Sequence, residues 1–387
     1  MQKEFDALIK LGTWSLVSFP THKHAIGCKW VFRVKENVDG SLNRYKARLV
    51  AKGFHQQPGV DYTKTFSVVV KPITIRILLT LAAKYQWPLE QLDVNNAFLN
   101  GLLNEEVYMV QPVGFHNGDK NVVCKLYKAL YGLKQAPRQW FKKLKCTIIQ
   151  LGFHISRCDN SLFILITSTY KLFVLVYVDD IIVSGSSKSQ VHNIIDKLSH
   201  NFALKRLGLL DYFLGIEVTH LPDGSLFLSQ AKHVSDLLQM ANMLSAKPST
   251  TPMGTSCKLT KSGSNSFEDP SLYRSIVGAL QYATITRPDL TFSVNKVCQF
   301  MSQPRIQHWS AVKRILRYLQ GFTSFGLHIR PATSSIPLSV MACCDADWAA
   351  DPDDRKSISG ACVFIGPTIV TWWSKKQQTV SRSSTEA

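Results

Sequence analysis

Residues 172–185 decide the fold of this chain and read Leu-Phe-Val-Leu-Val-Tyr-Val-Asp-Asp-Ile-Ile-Val-Ser-Gly. The β-branched and aromatic residues on both sides of Asp179 and Asp180 predict two short strands joined by a tight turn that carries both acids. A protein keeps two negative charges close together mainly when a cation compensates them. An acidic surface turn is the alternative, but such turns usually begin with polar residues, Gly or Pro rather than with an apolar run.

A third acid strengthens the case for a site. Asp93 follows the apolar and aromatic residues 87–89, and the gap to Asp179 is long enough for a helix and crossing strands. The two segments could therefore lie on neighbouring strands of one sheet. Mg²⁺ prefers oxygen ligands and usually takes one or two carboxylates together with substrate phosphates. Three acids around two ions form the arrangement needed for two-metal phosphoryl transfer.

These motifs resemble those of a known family. Residues 177–180, Tyr-Val-Asp-Asp, resemble the Y-x-D-D box of reverse transcriptases, and Leu-Asp-Val at 92–94 resembles the segment with their first metal-binding acid. The rest of the sequence resembles the Pol polyprotein of copia-type LTR retrotransposons. The matching segments are residues 12–17, 29–32, 44–54, 97–101, 130–138, 212–217, 286–289 and 345–349. The resemblance covers almost the whole chain in one order.

The resemblance implies an α+β fold, a right-hand polymerase with fingers, palm and thumb. A helical connection and an incomplete ribonuclease H-like α/β domain would follow. The expected domains are fingers, palm and the start of the thumb at 1–246, a linker at 247–270, a helical thumb or connection segment at 271–323, and a truncated ribonuclease H-like part at 324–387. The linker is also indicated by composition, because residues 247–269 are rich in Ser, Thr, Pro and Gly.

Periodicity predicts the main elements. Apolar residues at helical spacing predict helices at 71–87, 137–151, 190–202, 272–285, 290–301 and 309–319. A turn is expected at 38–41, and a hairpin at 212–229 is expected to precede a helix with Ser229 as its N-cap. The helix at 309–319 carries Lys313, Arg314 and Arg317 opposite its apolar face, so it could lie along a duplex backbone.

The resemblance also implies roles for the acids. Asp93, Asp179 and Asp180 would be the catalytic acids and would bind two Mg²⁺ ions, with Mn²⁺ as an alternative metal. Because successive strand residues point to opposite faces, Asp179 and Asp180 cannot be equivalent ligands. The family pattern makes Asp93 and Asp179 the main ligands and Asp180 a supporting acid.

Phe98 occupies the position where the family keeps an aromatic ring against the incoming sugar. A flat ring there leaves no room for a 2′-hydroxyl and favours deoxynucleotides, while an ordinary core Phe is the alternative. The other substrate-binding residues that the resemblance implies are Lys46, Arg48, Lys52, Gln135, Arg138 and Tyr177. The first three would neutralise the triphosphate, unless they belong to a generic basic strand. Gln135 would hydrogen-bond the sugar or the template.

The C-terminal part is a partial match. Residues 343–348 resemble the first strand and first acid of a ribonuclease H domain, with Asp345 and Asp347, and strands at 358–365 and 369–373 follow in the expected order. Residues 383–387 read like the start of the helix that carries the next acid, and they include Glu386. In the family the best-aligned Glu would come just after residue 387, and the later acid and His are absent. We therefore expect little or no ribonuclease H activity.

Composition favours a polyanionic partner. The chain has 387 residues with 45 Lys and Arg against 27 Asp and Glu, a formal net charge of +18. Such an excess suits nucleic acid, although a merely basic soluble protein is the alternative. Its nine cysteines lack a C-x-x-C pair and are expected to be reduced. No signal peptide or bilayer-spanning apolar run is visible, so no membrane is expected.

Two functions remain open. The first is an intracellular RNA-directed DNA polymerase, in a cytoplasmic virus-like particle or in the nucleus. Its partners would be an RNA template, a DNA primer strand, deoxynucleoside triphosphates and other parts of the Pol and Gag polyproteins. The second is a degenerate, catalytically silent remnant that only binds nucleic acid. The survival of all three polymerase acids, the aromatic gate and the basic strand favours the first.

Overall fold

The computed structural model describes residues 1–36, 41–119, 121–255, 257–331 and 338–387. They form a mixed α/β protein, as predicted. The helices are α1 (Gln2–Lys10), α2 (Pro72–Tyr85), α3 (Ala136–Gln150), α4 (Lys188–Asn201), α5 (Ala231–Met240), α6 (Pro270–Ala283), α7 (Thr291–Cys298) and α8 (Ile306–Gly321). Among the described residues, no helix is long and apolar enough to cross a membrane. Most of the predicted turn at 38–41 lies outside the described residues.

The strands follow the chain in nineteen segments within the described ranges. They are β1 (Trp14–Ser18), β2 (Ala25–Ile26), β3 (Cys28–Glu36), β4 (Leu42–Ala51), β5 (Leu89–Val94), β6 (Leu102–Met109), β7 (Val122–Lys128), β8 (His154–Ile155), β9 (Leu162–Ile166), β10 (Lys171–Tyr177), β11 (Asp180–Gly185), β12 (Leu204–Leu209), β13 (Tyr212–Phe213), β14 (Ile216–His220), β15 (Leu226–Ser229), β16 (Leu327–Ile329), β17 (Val340–Asp347), β18 (Ile358–Ile365) and β19 (Thr368–Lys376).

The described chain divides into two compact units. Unit 1 comprises Met1–Val70 and Pro88–Leu209, and unit 2 comprises Lys71–Trp87 and Leu210–Ala387. Helix α2 thus belongs to a different unit from the segments that flank it in sequence.

The largest sheet of unit 1 has the strand order β12-β5-β11-β10-β9-β8. Strand β11 lies between β10 and β5 and pairs antiparallel with both. A central strand that is covered on its faces needs a nearly continuous apolar sequence, which explains the run Ile181–Val183. Helices α3 and α4 pack on this sheet through Trp140, Leu144, Ile194 and Leu198.

Unit 1 also contains a four-stranded sheet of order β1-β7-β6-β2 and a two-stranded ribbon, β3-β4. A core cluster joins Leu49 of the ribbon with Met109 and Leu126 of this sheet and with Leu130 and Leu133, which precede α3. The ribbon is thereby anchored at its base to the part of the chain that leads into α3.

In unit 2, helices α5 to α8 share one apolar core that includes Tyr273, Leu280, Val297 and Leu316. The unit also contains two sheets, β13-β14-β15-β16 and β17-β18-β19. The buried Arg76 of α2 donates from Nε to the Val370 carbonyl at 2.7 Å and stacks over the Trp372 ring at 4.0 Å. Helix α2 is therefore fastened to strand β19.

The predicted helices and the acidic hairpin are confirmed, with ends shifted by a few residues. Two local predictions are wrong. Helix α5 begins after Gln230, because the Ser229 hydroxyl donates to Glu217 Oε2 at 2.8 Å instead of capping the helix. Residues 383–387 form a turn instead of a helix, because the Glu386 carboxylate accepts the Arg382 N–H at 2.9 Å and folds the segment back on itself.

Candidate active site

The three acids predicted to be catalytic come from two neighbouring strands and one turn. Asp180, the first residue of β11, lies directly opposite Asp93 on β5 in the antiparallel register. Asp179 lies in the turn between β10 and β11, and its carbonyl accepts the Val94 N–H at 2.9 Å. Tyr177 ends β10 and pairs with Asp180 across the same turn. The expectation that both acidic segments share one sheet is confirmed.

The acidic turn holds a β-branched residue in an unusual conformation. Val178 has φ +53°, in the left-handed region that β-branched residues rarely adopt. The buried indole of Trp140 on α3 donates from Nε1 to the Val178 carbonyl at 2.6 Å. Such a conformation persists where the surroundings hold it, and Trp140 provides that restraint. The predicted helix at 137–151 includes Trp140, but the sequence did not indicate this contact.

The acids interact electrostatically. The pKa of Asp180 is raised to about 6 by burial and then by the charges of Asp179 and Asp93. Burial also raises the pKa of Asp179; Asp93 adds to this rise, whereas Arg48 and Lys46 oppose it. The three carboxylates are thus close enough to repel each other.

The donors suit a hard divalent cation such as Mg²⁺, because all three are carboxylates. Within the described ranges, no group of three or more His, Cys, Asp or Glu side chains is arranged to hold a metal ion. The fit of these residues to Mg²⁺ is therefore supported by their carboxylate oxygens and by the mutual repulsion of the three charges, which a bound cation would relieve.

The ribbon brings two of the three predicted cations to the acids. Lys46 and Arg48 lie on β4, and both lower the pKa of Asp179. Arg48 stacks over the Tyr131 ring at 4.6 Å. Lys52 follows the strand and lies beside Cys28, whose thiol pKa it lowers against the larger effect of burial. The structure thus shows an interaction with Asp179 for Lys46 and Arg48, and a role of Lys52 at the triphosphate stays a prediction.

Phe98 lies on a short 3-10 helix, Ala97–Asn100, that follows β5 and Asp93. Its ring is partly buried and meets the Tyr131 ring edge to face, with centroids 4.8 Å apart and planes inclined by 61°. Phe98 packs against the core and also keeps an exposed part, and its gate role stays a prediction. Tyr131, which contacts both Phe98 and Arg48, was not among the predicted site residues.

Gln135 is fully buried, and the protein itself binds its amide. Its Nε2 donates to the Asp61 carbonyl at 2.8 Å, and its Oε1 accepts from Gln56 Nε2 at 3.0 Å. Arg138 is exposed and donates to the Phe66 carbonyl at 3.4 Å. Substrate contacts by these two residues stay predictions.

The C-terminal acids lie in unit 2. Asp345 and Asp347 are exposed on β17, at the edge of its sheet, and alternate positions on a strand share one face. The Glu386 carboxylate accepts a hydrogen bond from the Arg382 N–H within the C-terminal turn.

Two of the three basic residues on α8 bind the preceding linker. Arg314 Nη2 donates to Thr251 Oγ1 at 2.7 Å, and Arg317 Nε donates to the Lys247 carbonyl at 2.8 Å. The sequence did not indicate this contact, and duplex binding by α8 stays a prediction.

Comparison with known proteins identifies the family. The family model of the reverse transcriptase (RNA-dependent DNA polymerase) matches residues 11–255. The chain belongs to the reverse transcriptase family. The resemblance to copia-type Pol polyproteins is confirmed as well, because reverse transcriptase relatives from transposons match the entire chain.

The retrovirus-related Pol polyprotein from transposon RE1 of Arabidopsis thaliana is 50% identical over 100% of this chain. The Pol polyprotein from transposon TNT 1-94 of Nicotiana tabacum is 41% identical, also over 100% of this chain. The chain spans only 26% and 30% of these relatives. A putative transposon Ty5-1 protein of Saccharomyces cerevisiae is 32% identical over 76% of this chain and 96% of its own length.

A solved structure of a foamy viral protease–reverse transcriptase in complex with double-stranded DNA is also similar to this reverse transcriptase chain. It has a TM-score of 0.49 and 12% identity, and the match covers 97% of this chain and 55% of the viral one.

Proposed function

We propose that the chain is an RNA-directed DNA polymerase that adds deoxynucleotides to a primer 3′-end. The observation that carries the proposal is the pairing of Asp93 with Asp180 across β5 and β11, with Asp179 in the adjoining turn. Two divalent ions, when bound there, supply activation of the 3′-hydroxyl and stabilisation of the leaving pyrophosphate.

The protein's own side chains complete the site. Asp93 and Asp179 serve as the main metal ligands and Asp180 supports them. Lys46 and Arg48 neutralise the triphosphate at the edge of the acidic cluster. Phe98 excludes a 2′-hydroxyl from the sugar position.

The same proposal assigns the parts of a right-hand polymerase. Residues 1–246 supply fingers, palm and the start of the thumb, 247–270 the linker, 271–323 the helical thumb or connection, and 324–387 a ribonuclease H-like part. The net charge of +18 supports an RNA template and a DNA primer as partners. We place the enzyme inside the cell, in a particle with other Pol and Gag parts or in the nucleus.

Primer extension on an RNA template, with Mg²⁺ and deoxynucleotides, tests the proposal. We expect extension by the wild-type chain and none by Asp179→Asn. Asp196→Asn is a matched control, because Asp196 is an exposed acid of the same unit that pairs with Arg206. Extension no greater than that of Asp179→Asn would refute the polymerase assignment.

A silent nucleic-acid-binding remnant is the second candidate, favoured by the positive charge alone. It predicts that the chain binds a primer–template duplex but leaves the primer unextended. The chain is also expected to lack ribonuclease H activity, because Asp345 and Asp347 lie on an exposed edge strand while Glu386 is engaged elsewhere. Release of labelled fragments from an RNA–DNA hybrid would contradict that expectation.

A further inference from the structure

Tyr131 lies between the two parts of the proposed nucleotide site. The edge-to-face contact with Phe98 joins it to the sugar gate, and the stacking of Arg48 over its ring joins it to the triphosphate cations. The acids are also near, since Asp179 and Asp93 both contribute to the raised pKa of Tyr131, although burial is the larger cause.

The backbone holds Tyr131 firmly in this place. The Tyr131 carbonyl accepts the Ala51 N–H at 2.7 Å, which ties the residue to the end of β4. Gly132 follows with φ +91°, and a Cβ on it would lie 2.1 Å from the Ala51 carbonyl oxygen. A Cβ on Gly53 would lie 2.0 Å from the Gly132 carbonyl oxygen. Two glycines thus permit a close approach that any other residue would prevent.

The Arg48 guanidinium has two neighbours that can orient it, the Tyr131 ring on which it stacks and the carboxylate of Glu4, whose pKa it lowers against the larger effect of burial. Arg48 Nε is buried and has no hydrogen-bond partner, so no bond at that atom directs the guanidinium. Stacking on an aromatic face supplies a direction, because the ring quadrupole attracts the cation above its plane. The edge-to-face geometry with Phe98 likewise restricts the tilt of the second ring.

We propose that Tyr131 is a positioning and specificity-determining residue, which sets the Phe98 ring and the Arg48 guanidinium together. Sugar selection and triphosphate binding are then coupled through one side chain. The inference rests on the proposed polymerase function and extends it to a residue outside the acid and cation motifs.

The test compares Tyr131→Leu, which removes both ring contacts, with Tyr131→Phe, which keeps the ring. Two quantities are measured: KM for dCTP, and the ratio of kcat/KM for dCTP to that for CTP, which differs only by the 2′-hydroxyl. In Tyr131→Leu we expect KM to rise and the kcat/KM ratio to fall, each by about tenfold. This factor corresponds to about 1.4 kcal/mol, the free energy of the aromatic contact that the substitution removes. We expect kcat to change by less than about threefold, since no reacting atom is touched. Tyr131→Phe should restore both quantities.

Tyr127→Leu is the matched control. Tyr127 is a half-exposed tyrosine of the same unit, and its hydroxyl contacts Ser15 Oγ at 2.8 Å. A second criterion compares Tyr131→Leu, Arg48→Met and the double variant. If the two residues act together, the rise in KM of the double variant should differ from the sum of the two single effects in free energy. Unchanged discrimination in Tyr131→Leu, or equal losses in Tyr131→Leu and Tyr127→Leu, would overturn the proposal.

A measurement of nucleotide binding distinguishes failure of the Tyr131 proposal from failure of the polymerase assignment. Calorimetric titration of dCTP and CTP into the chain bound to primer–template, with Ca²⁺ in place of Mg²⁺, reads the same contacts without turnover. A wild-type chain that binds dCTP in preference to CTP yet extends no primer would refute the polymerase alone. Loss of the preference for the deoxynucleotide in Tyr131→Leu would still support the role of Tyr131. Retention of that preference in the variant would still refute this role.

Discussion

Asp93 and Asp180 lie directly opposite each other on the antiparallel strands β5 and β11. These two residues are far apart in sequence, and pairing of the two strands brings their carboxylates together at the end that carries the acidic turn. Burial, and then the charges of Asp179 and Asp93, raises the pKa of Asp180 to about 6, which shows that a charged carboxylate is disfavoured here without a cation. A divalent ion would turn that repulsion into attraction.

Asp180→Asn should raise the thermal stability of the metal-free protein and lower its polymerase activity. The amide removes one of the repelling charges, so the metal-free variant should have a higher Tm than the wild-type chain. Primer extension should fall by roughly a hundredfold, the upper end of the losses seen when groups that support a metal are removed. Thermal unfolding with and without Mg²⁺ should show a smaller Mg²⁺-dependent rise in Tm for the variant. A rise as large as in the wild-type chain would contradict the metal role of Asp180, and Asp196→Asn controls for loss of a carboxylate.

Phe98→Leu should admit ribonucleotides. A smaller, flexible side chain leaves room for a 2′-hydroxyl, while part of the packing against the core is kept. Discrimination between dCTP and CTP should fall by about 10- to 200-fold, the range for a small steric difference in a pocket. Steady-state kcat/KM values for the two nucleotides measure the change. Phe141→Leu, on another partly buried ring of unit 1, should leave discrimination unaltered; an unaltered ratio in Phe98→Leu would remove Phe98 from the gate role.

Gln135→Leu should act on stability. The substitution leaves the Asp61 carbonyl and Gln56 Nε2 without their partner, and buried unpaired polar groups cost about 1–3 kcal/mol each. Urea denaturation should show the loss of unfolding free energy, with KM for dTTP per folded molecule unchanged. Gln150→Leu on the exposed end of α3 should change stability by less than about 0.5 kcal/mol. A raised KM at wild-type stability would instead support the nucleotide contact predicted from the sequence.

Cysteine alkylation should report burial in unit 1. Burial raises the pKa of Cys28 to about 11 and that of Cys124 to about 12. At pH 8 only about one in a thousand Cys28 side chains would be thiolate, the reactive form, and each added pH unit up to 11 should speed its alkylation about tenfold. Mass spectrometry after iodoacetamide treatment at pH 8 should find the exposed Cys146 modified and Cys28 and Cys124 intact. All three should react in urea, and early modification of Cys124 in the native protein would contradict the packing described here.

Much of the fold follows from residue patterns that operate locally. The β-branched run on both sides of Asp179 predicts the hairpin because strand propensity and turn position depend on neighbouring residues. Apolar spacing likewise predicts α3, α4 and α6 to α8. The Ser229 N-cap failed because Glu217, a residue of another strand, takes the hydroxyl first. Glu217 lies opposite Ser229 on the paired strand of the same hairpin, so the competition depends on strand register and not on the residues next to Ser229.

The sequence by itself determined the three acids, the aromatic ring at position 98, the basic strand and the family, because each depends on residue identity in a short motif. Only the tertiary structure decided that Asp93 faces Asp180, that Lys46 and Arg48 approach Asp179, and that Gln135 is buried. It also placed Tyr131 between Phe98 and Arg48 and fastened Arg76 to Val370, which is 294 residues away in sequence. These relationships depend on strand register and on close backbone approach at two glycines. Burial of the whole apolar surface sets such features, and no single segment encodes them.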